Sequence, residues 1–340
     1  AQKIVPPKID FWIFLFIQEY LITISKLENA LFTFLIIIRL KNKGGKRFKK
    51  NAMVLAEYFF LTVLFFFILN AKLISSTNCF NKFVLNKLLL MSRPLILVTN
   101  DDGVNSKGIL ALIEIAQTFG DVFVVAPDGP QSGKSHAITL EKPFGKNFLL
   151  KTDSLTKYSC TGTPVDCMKM GLNMLMDKKP DIILSGINHG SNSSINVIYS
   201  GTMAAAIEGY MHGIPSIGFS LLDHSEDADF SACKQLLAKI VAMVLQKKEI
   251  LCLNVNIPKL PASQIKGYKF CRQSNSNWQE KFVPAYDNSD YYWMKGSFVN
   301  HDNSPDTDEW ALDNGYVSIV PVQFDFTAYK TLETLKNIEL

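Results

Sequence analysis

From residue 94 onward the chain alternates short apolar runs, polar glycine-containing loops and apolar positions at helical spacing. Leu95 to Val98 is apolar and partly β-branched, the pattern of a buried parallel strand, and it runs into Thr99-Asn100-Asp101-Asp102-Gly103. Ile109, Leu112, Ile113 and Ala116 then fall on one helical face. Val122 to Ala126 reads as a second buried strand, ending at Pro127-Asp128-Gly129. Strand, helix, strand in that order predicts a parallel α/β sheet with right-handed crossovers. His136 to Leu140 is strand-like, and Thr163-Pro164 opens a helix from Val165 to about Met176. Pro180 to Ser185 is another buried strand, followed by the polar loop Gly186 to Asn192. Tyr199 to Gly209 is a helix start rich in small residues, with Ser200 or Thr202 placed to cap it. From Tyr291 to Phe298 aromatic and polar residues alternate, which suits an extended hairpin arm.

This pattern places chemistry at the strand ends. Open α/β sheets bind ligands beyond the carboxyl ends of their strands, and Asp101 and Asp102 sit there before a turn at Gly103. Adjacent carboxylates repel unless a cation or a proton lies between them. Oxygen ligands of this kind suit a hard divalent ion such as Mg²⁺ or Mn²⁺. The N–H groups near Ser200, Gly201 and Thr202 open a helix and suit phosphate, with Asn100 as a further contact. His136 and His189 lie in or beside these loops, within reach of a bound phosphate.

Gly129 to Ser135 imitates a P-loop. That motif requires glycine at position 128, which is Asp128, and a helix after Ser135, where the sequence is strand-like. A P-loop NTPase and a non-catalytic nucleotide-binding module are the rival readings.

Composition narrows the classes. The first ninety residues hold 13 Lys and Arg against 4 Asp and Glu, a net +9; the remainder, with 22 against 27, carries −5. An acidic body leaves no basic footprint for nucleic acid. Six cysteines without Cys-x-x-Cys spacing read as buried free thiols of a reducing compartment, which points to the cytoplasm. Residues 1–90 form a hydrophobic and basic leader, expected to be upstream sequence translated in error before Met91. Otherwise it is a membrane anchor through the apolar run 52–71, which Glu57 interrupts.

Five motifs in order carry a resemblance: Ile96 to Gly103, Ala126-Pro127-Asp128 with Ser132, Gly162-Thr163-Pro164, Ser185 to Asn188, and Tyr199 to Thr202. Together they resemble the survival protein E (SurE) family of metal-dependent 5′/3′-nucleotidases. Arg272-Gln273-Ser274, Tyr291-Tyr292-Trp293, Asp306-Thr307-Asp308 and Gly315 to Ile319 are similar to it as well, so the resemblance spans about residues 91–330. It implies a Rossmann-like three-layer αβα sandwich over 91–250 and a C-terminal β-hairpin and helix extension over 251–340. It also implies a homodimer or homotetramer through an exchanged hairpin. It implies one divalent ion per subunit, Mg²⁺ or Mn²⁺, on Asp101, Asp102, Ser132 and Asn188, with Asp101 and Asp102 catalytic. The implied substrates are nucleoside 5′- and 3′-monophosphates, with short polyphosphates besides. One stretch departs: many members carry proline and a second glycine after the Asn-x-Gly turn, where this chain reads Ser191-Asn192-Ser193-Ser194.

Overall fold

In this computed structural model the described residues are 93–338 apart from 226, 248, 288 and 289. The apolar run 52–71 and the rest of the leader, Cys79 included, lie outside them.

The first strand shows how sequence becomes layer. β1 (Leu95–Thr99) is buried on both faces: Ile96 and Val98 pack into one core cluster, Leu97 into another. Such alternation within an all-apolar run requires helices on both sides of a sheet. α1 (Lys107–Gln117) buries Ile109, Leu112, Ile113 and Ala116, the expected face, in the first cluster. β2 (Asp121–Pro127) returns parallel to β1. β3 (Lys146–Lys151) and β4 (Leu155–Cys160) extend that side, β4 parallel to β2 and β3 antiparallel at the edge.

α2 (Pro164–Met170) starts from a capping box between Thr163 and Asp166, with Pro164 in the first turn. It widens into a π-helical turn at Gly171–Leu175, so the expected helix to Met176 is two segments. On the other side of β1 run β5 (Ile182–His189), β6 (Ser216–Leu221) and β7 (Cys252–Ile257), all parallel. The short α3 (Asn196–Tyr199) and α4 (Gly201–Met211) follow β5, and α5 (Cys233–Lys247) follows β6.

β8 (Tyr268–Phe270) and β11 (Val317–Val322) complete a nine-stranded sheet of order β3-β4-β2-β1-β5-β6-β7-β11-β8. α1 and α5 share one core cluster; α2 and α4 contribute to the clusters on the opposite face. The architecture is the expected Rossmann-like αβα sandwich. The sheet runs on through β7 and β11, past residue 250, where the sequence placed the start of an extension. β9 (Ser276–Pro284) and β10 (Tyr292–Asn300) form a separate antiparallel hairpin, and α6 (Asp308–Asp313) and α7 (Tyr329–Leu335) follow it.

One expected strand does not form. His136 lies in a turn that the Ala137 N–H closes onto the Lys134 carbonyl (3.2 Å), and residues 137–140 join no ladder; side chains hold their backbone instead. Thr163 Oγ1 donates to the Ala137 carbonyl, and the Thr139 N–H donates to Asp166 Oδ1. Among the described residues no helix is long and apolar enough to cross a membrane. The five described cysteines are buried free thiols.

Candidate functional site

The site grows from the turn after β1. Gly103 adopts a φ of +102°, and a Cβ there would stand 3.3 Å from the backbone carbon of Gly129. Only glycine lets the Asp-Asp turn lie this close to the loop after β2. The two loops are stitched by Val104 N–H to the Pro127 carbonyl (2.7 Å) and Gln131 N–H to the Asp101 carbonyl (2.7 Å). Ser132, next in the chain to Gln131, is exposed at the loop's tip.

Asp101 is buried, and its Oδ1 accepts from Thr202 Oγ1 at 2.5 Å. A Cβ on Gly201 would stand 2.9 Å from Asp101 Cβ and 3.0 Å from its Oδ2, so the N-terminus of α4 abuts this carboxylate. Burial, with the charge of Asp102 adding to it, outweighs the Thr202 bond and lifts the Asp101 carboxyl to about 6. Burial raises Asp102 as well, although His189 N–H donates to its Oδ2 at 3.3 Å. Two adjacent carboxylates that both resist ionisation favour a cation or a proton between them.

Asn188 stands one residue before His189 at the end of β5. Its Nδ2 donates to the carbonyls of Gly190 (2.9 Å) and His189 (3.2 Å), so Oδ1 is the atom that a ligand could meet. The Asn100 amide is turned inward: Nδ2 donates to Gly103 O and Ser106 Oγ, both at 2.9 Å, and its buried Oδ1 has no partner. Asn100 shapes the turn, and both its amide hydrogens are engaged there instead of pointing to a phosphate. Ser200 caps α4, accepting from Met203 N–H at 3.0 Å, and Thr202 serves Asp101 instead of the cap.

A divalent ion fits this donor set. Asp101, Asp102 and the Asn188 carbonyl oxygen are hard donors gathered at adjoining strand ends, with the Ser132 hydroxyl on the neighbouring loop. Among the described residues no group of three or more His, Cys, Asp or Glu side chains could hold a metal ion.

Two side chains matter that the sequence did not single out. Glu208 of α4 is 2 % exposed; it bonds His136 Nε2 (3.0 Å), Lys169 Nζ (2.5 Å) and His212 Nε2 (3.3 Å). Asp166, also buried, takes Thr139 Oγ1 at 2.6 Å. His136 therefore faces Glu208, and His189 faces the Ser225 carbonyl and the Phe230 ring instead of open solvent. A glutamate seven residues after Gly201 on the same helical face was the available signal, since i and i+7 align. Asn192, Ser193 and Ser194 of the divergent stretch are buried as well. Ser193 bonds Glu309, Ser194 N–H donates to Asp308 Oδ2 (2.8 Å) and Ser194 Oγ to the Ser274 carbonyl (2.9 Å). Hydrogen bonds to the start of α6 stand there in place of the proline and glycine.

Fold and site together define a Rossmann-like α/β protein with carboxylate and amide side chains at the carboxyl ends of central strands, against a helix N-terminus. A family model for survival protein SurE matches residues 96–280. The chain belongs to that family. It is 53% identical over 255 residues to a 5′-nucleotidase SurE of Flavobacterium psychrophilum, covering 74% of this chain and 99% of the relative. It is 46% identical over 253 residues to a 5′-nucleotidase SurE of Bacteroides fragilis, covering 73% and 98%. The crystal structure of a SurE protein from Aquifex aeolicus superposes with a TM-score of 0.62 at 37% identity, over 72% of this chain and 98% of that one.

Proposed function

We propose that this chain is a 5′-nucleotidase, hydrolysing nucleoside 5′-monophosphates to nucleoside and phosphate with one divalent ion per subunit. The observation that carries the reading is the contact of Asp101 with the first turn of α4, which would bring a cation bound by the carboxylate beside an anion bound at the helix start. Asp101, Asp102, Asn188 and Ser132 would hold Mg²⁺ or Mn²⁺, which when bound supplies Lewis-acid polarisation and a more acidic water. Ser200 engages the Met203 N–H and the Thr202 N–H bonds the Asp101 carboxylate, which leaves the Gly201 N–H and the Ser200 hydroxyl hydrogen at the first turn for phosphate oxygens. These donors and the helix dipole stabilise the charge that builds on phosphorus oxygens during transfer. The Thr202 hydroxyl holds Asp101 in one rotamer, so the carboxylate meets its ligand without reorganising.

A site of this kind would address a terminal phosphoryl group, and the same donors extend the proposal to 3′-monophosphates and short polyphosphates. Buried thiols support a reducing, cytoplasmic setting. The P-loop alternative lacks its helix: Gly133-Lys134-Ser135 lies in a turning loop that no helix follows.

Phosphate release from AMP, with EDTA and with Mn²⁺ or Mg²⁺ restored, tests the reading. Metal-dependent turnover is expected. Undiminished turnover in the stripped protein would remove the metal assignment; binding without turnover would favour a non-catalytic module.

A further inference from the structure

The loop that carries Ser132 has no ladder to hold it, yet its backbone is unusual. Gly133 and Ser135 both sit at positive φ, +71° and +53°. A non-glycine residue keeps such a conformation only where its surroundings over-determine it. The surroundings here are specific. Ser135 donates through its N–H to the Tyr199 carbonyl (3.1 Å) and through Oγ to the Ile198 carbonyl (2.6 Å). One residue later His136 reaches Glu208, two turns along α4 from the glycine that touches Asp101. One stripe of α4 thus meets the catalytic carboxylate at its start and the Ser132 loop further on.

Three elements converge on the Glu208 carboxylate: His136 from the loop, Lys169 from α2 and His212 from α4 itself. Burial alone would raise this carboxyl, but the hydrogen bonds and charges of His136 and Lys169 outweigh it and hold it at about 2. A buried ion pair is a poor source of stability compared with apolar packing. Its geometry does fix the loop's position relative to α4.

We propose that Glu208 and His136 form a clasp that positions the Ser132 loop over the Asp101–Asp102 pair, making both positioning residues for phosphoester hydrolysis. The inference rests on the nucleotidase reading above. Neither residue touches the substrate; they act through Ser132, four residues from His136 in the chain.

Two readouts test the clasp in the full chain. The first is independent of activity: trypsin cleavage after Lys134, an exposed residue at the loop tip, followed by mass spectrometry. His136→Ala and Glu208→Gln should each speed that cleavage severalfold. His212→Ala removes a Glu208 partner that is not on the loop and should leave it unchanged. The second readout is kinetic, with AMP and Mn²⁺. Loss of the clasp should raise the Mn²⁺ concentration for half-activation and lower kcat roughly 10- to 100-fold, the scale of an ångström-level misplacement. The double variant should be no worse than either single one. His136→Gln, which keeps an N–H donor, should recover most of the activity. Faster cleavage with unchanged kcat and Mn²⁺ response would overturn the positioning role. Unchanged cleavage would overturn the clasp itself. His136 lies on a surface loop, so His136→Ala remains decisive if Glu208→Gln fails to fold. A wild-type chain without nucleotidase activity would defeat the functional reading while the proteolysis still judged the clasp.

Discussion

Asp101 is a carboxylate that folding places where ionisation is unfavourable, and this has a measurable consequence. Its carboxyl is lifted from 3.8 to about 6, chiefly by burial. Between those values the folded state binds more protons than the unfolded one, so stability falls as pH rises through the window. In metal-stripped protein at pH 7.5 the cost is on the order of 3 kcal/mol by the usual conversion of a pKa shift. Asp101→Asn, neutral and nearly isosteric, should therefore melt higher than wild type in EDTA above pH 6, and the gain should vanish below about pH 4. Mn²⁺ should raise the melting temperature of the wild type and not that of the variant. The same substitution, and Asp102→Asn, should lower phosphate release at least about a hundredfold, since a carboxylate ligand both holds the ion and balances its charge. Circular dichroism should show both variants folded. Melting curves that do not cross with pH would refute the burial account of Asp101.

At the scale of elements, the close approach of α4 to the turn after β1 makes Gly201 a sensitive position. Gly201→Ala would press a methyl group within 3.0 Å of the Asp101 carboxylate. That should cut kcat/KM by about tenfold or more through displaced ligands, with only a small loss of melting temperature. An Ala variant of full activity would show that α4 can shift without cost. On the neighbouring loop, Ser132→Ala should weaken Mn²⁺ binding, measured by calorimetry, whereas Lys134→Ala should leave metal dependence intact. The reverse result would revive the P-loop reading. β1, α1, β2 and β5 were legible because each buries a simple apolar period, and the Asp-Asp-Gly turn because strand ends concentrate ligands. His136 to Leu140 was misread as a strand: its pattern suits one, but its backbone bonds the side chains of Thr163 and Asp166, distant in sequence, and the Lys134 carbonyl, with no neighbouring strand among the described residues. Glu208 was missed for the same reason, since two of its three partners, His136 and Lys169, come from separate elements distant in sequence. The inward turn of the Asn100 amide depends on Ser106 and Gly103, a local detail that residue type alone does not encode.

The whole molecule leaves an account open at its hairpin. In the β9–β10 pairing Phe282 stands opposite Met294 and Pro284 opposite Tyr292, all on one face by the period of two. Phe282, Tyr292 and Met294 are 65, 56 and 69 % exposed. A two-stranded hairpin is marginal in water unless its apolar face is covered, and clustered exposed apolar side chains mark an interaction surface. A second copy of the chain would supply such cover at low cost by exchanging the same arm under closed symmetry. We therefore predict that a chain beginning at Met91 is soluble and active, and scatters light as a dimer or tetramer. Its melting temperature should rise with protein concentration, as mass action requires when folding and assembly are coupled. Replacing Phe282 and Met294 together by serine should shift the mass toward the monomer and abolish that dependence, while the nine-stranded sheet, which does not include the hairpin, keeps its far-ultraviolet signature. A monodisperse, fully active monomer with both side chains intact would refute the exchanged arm.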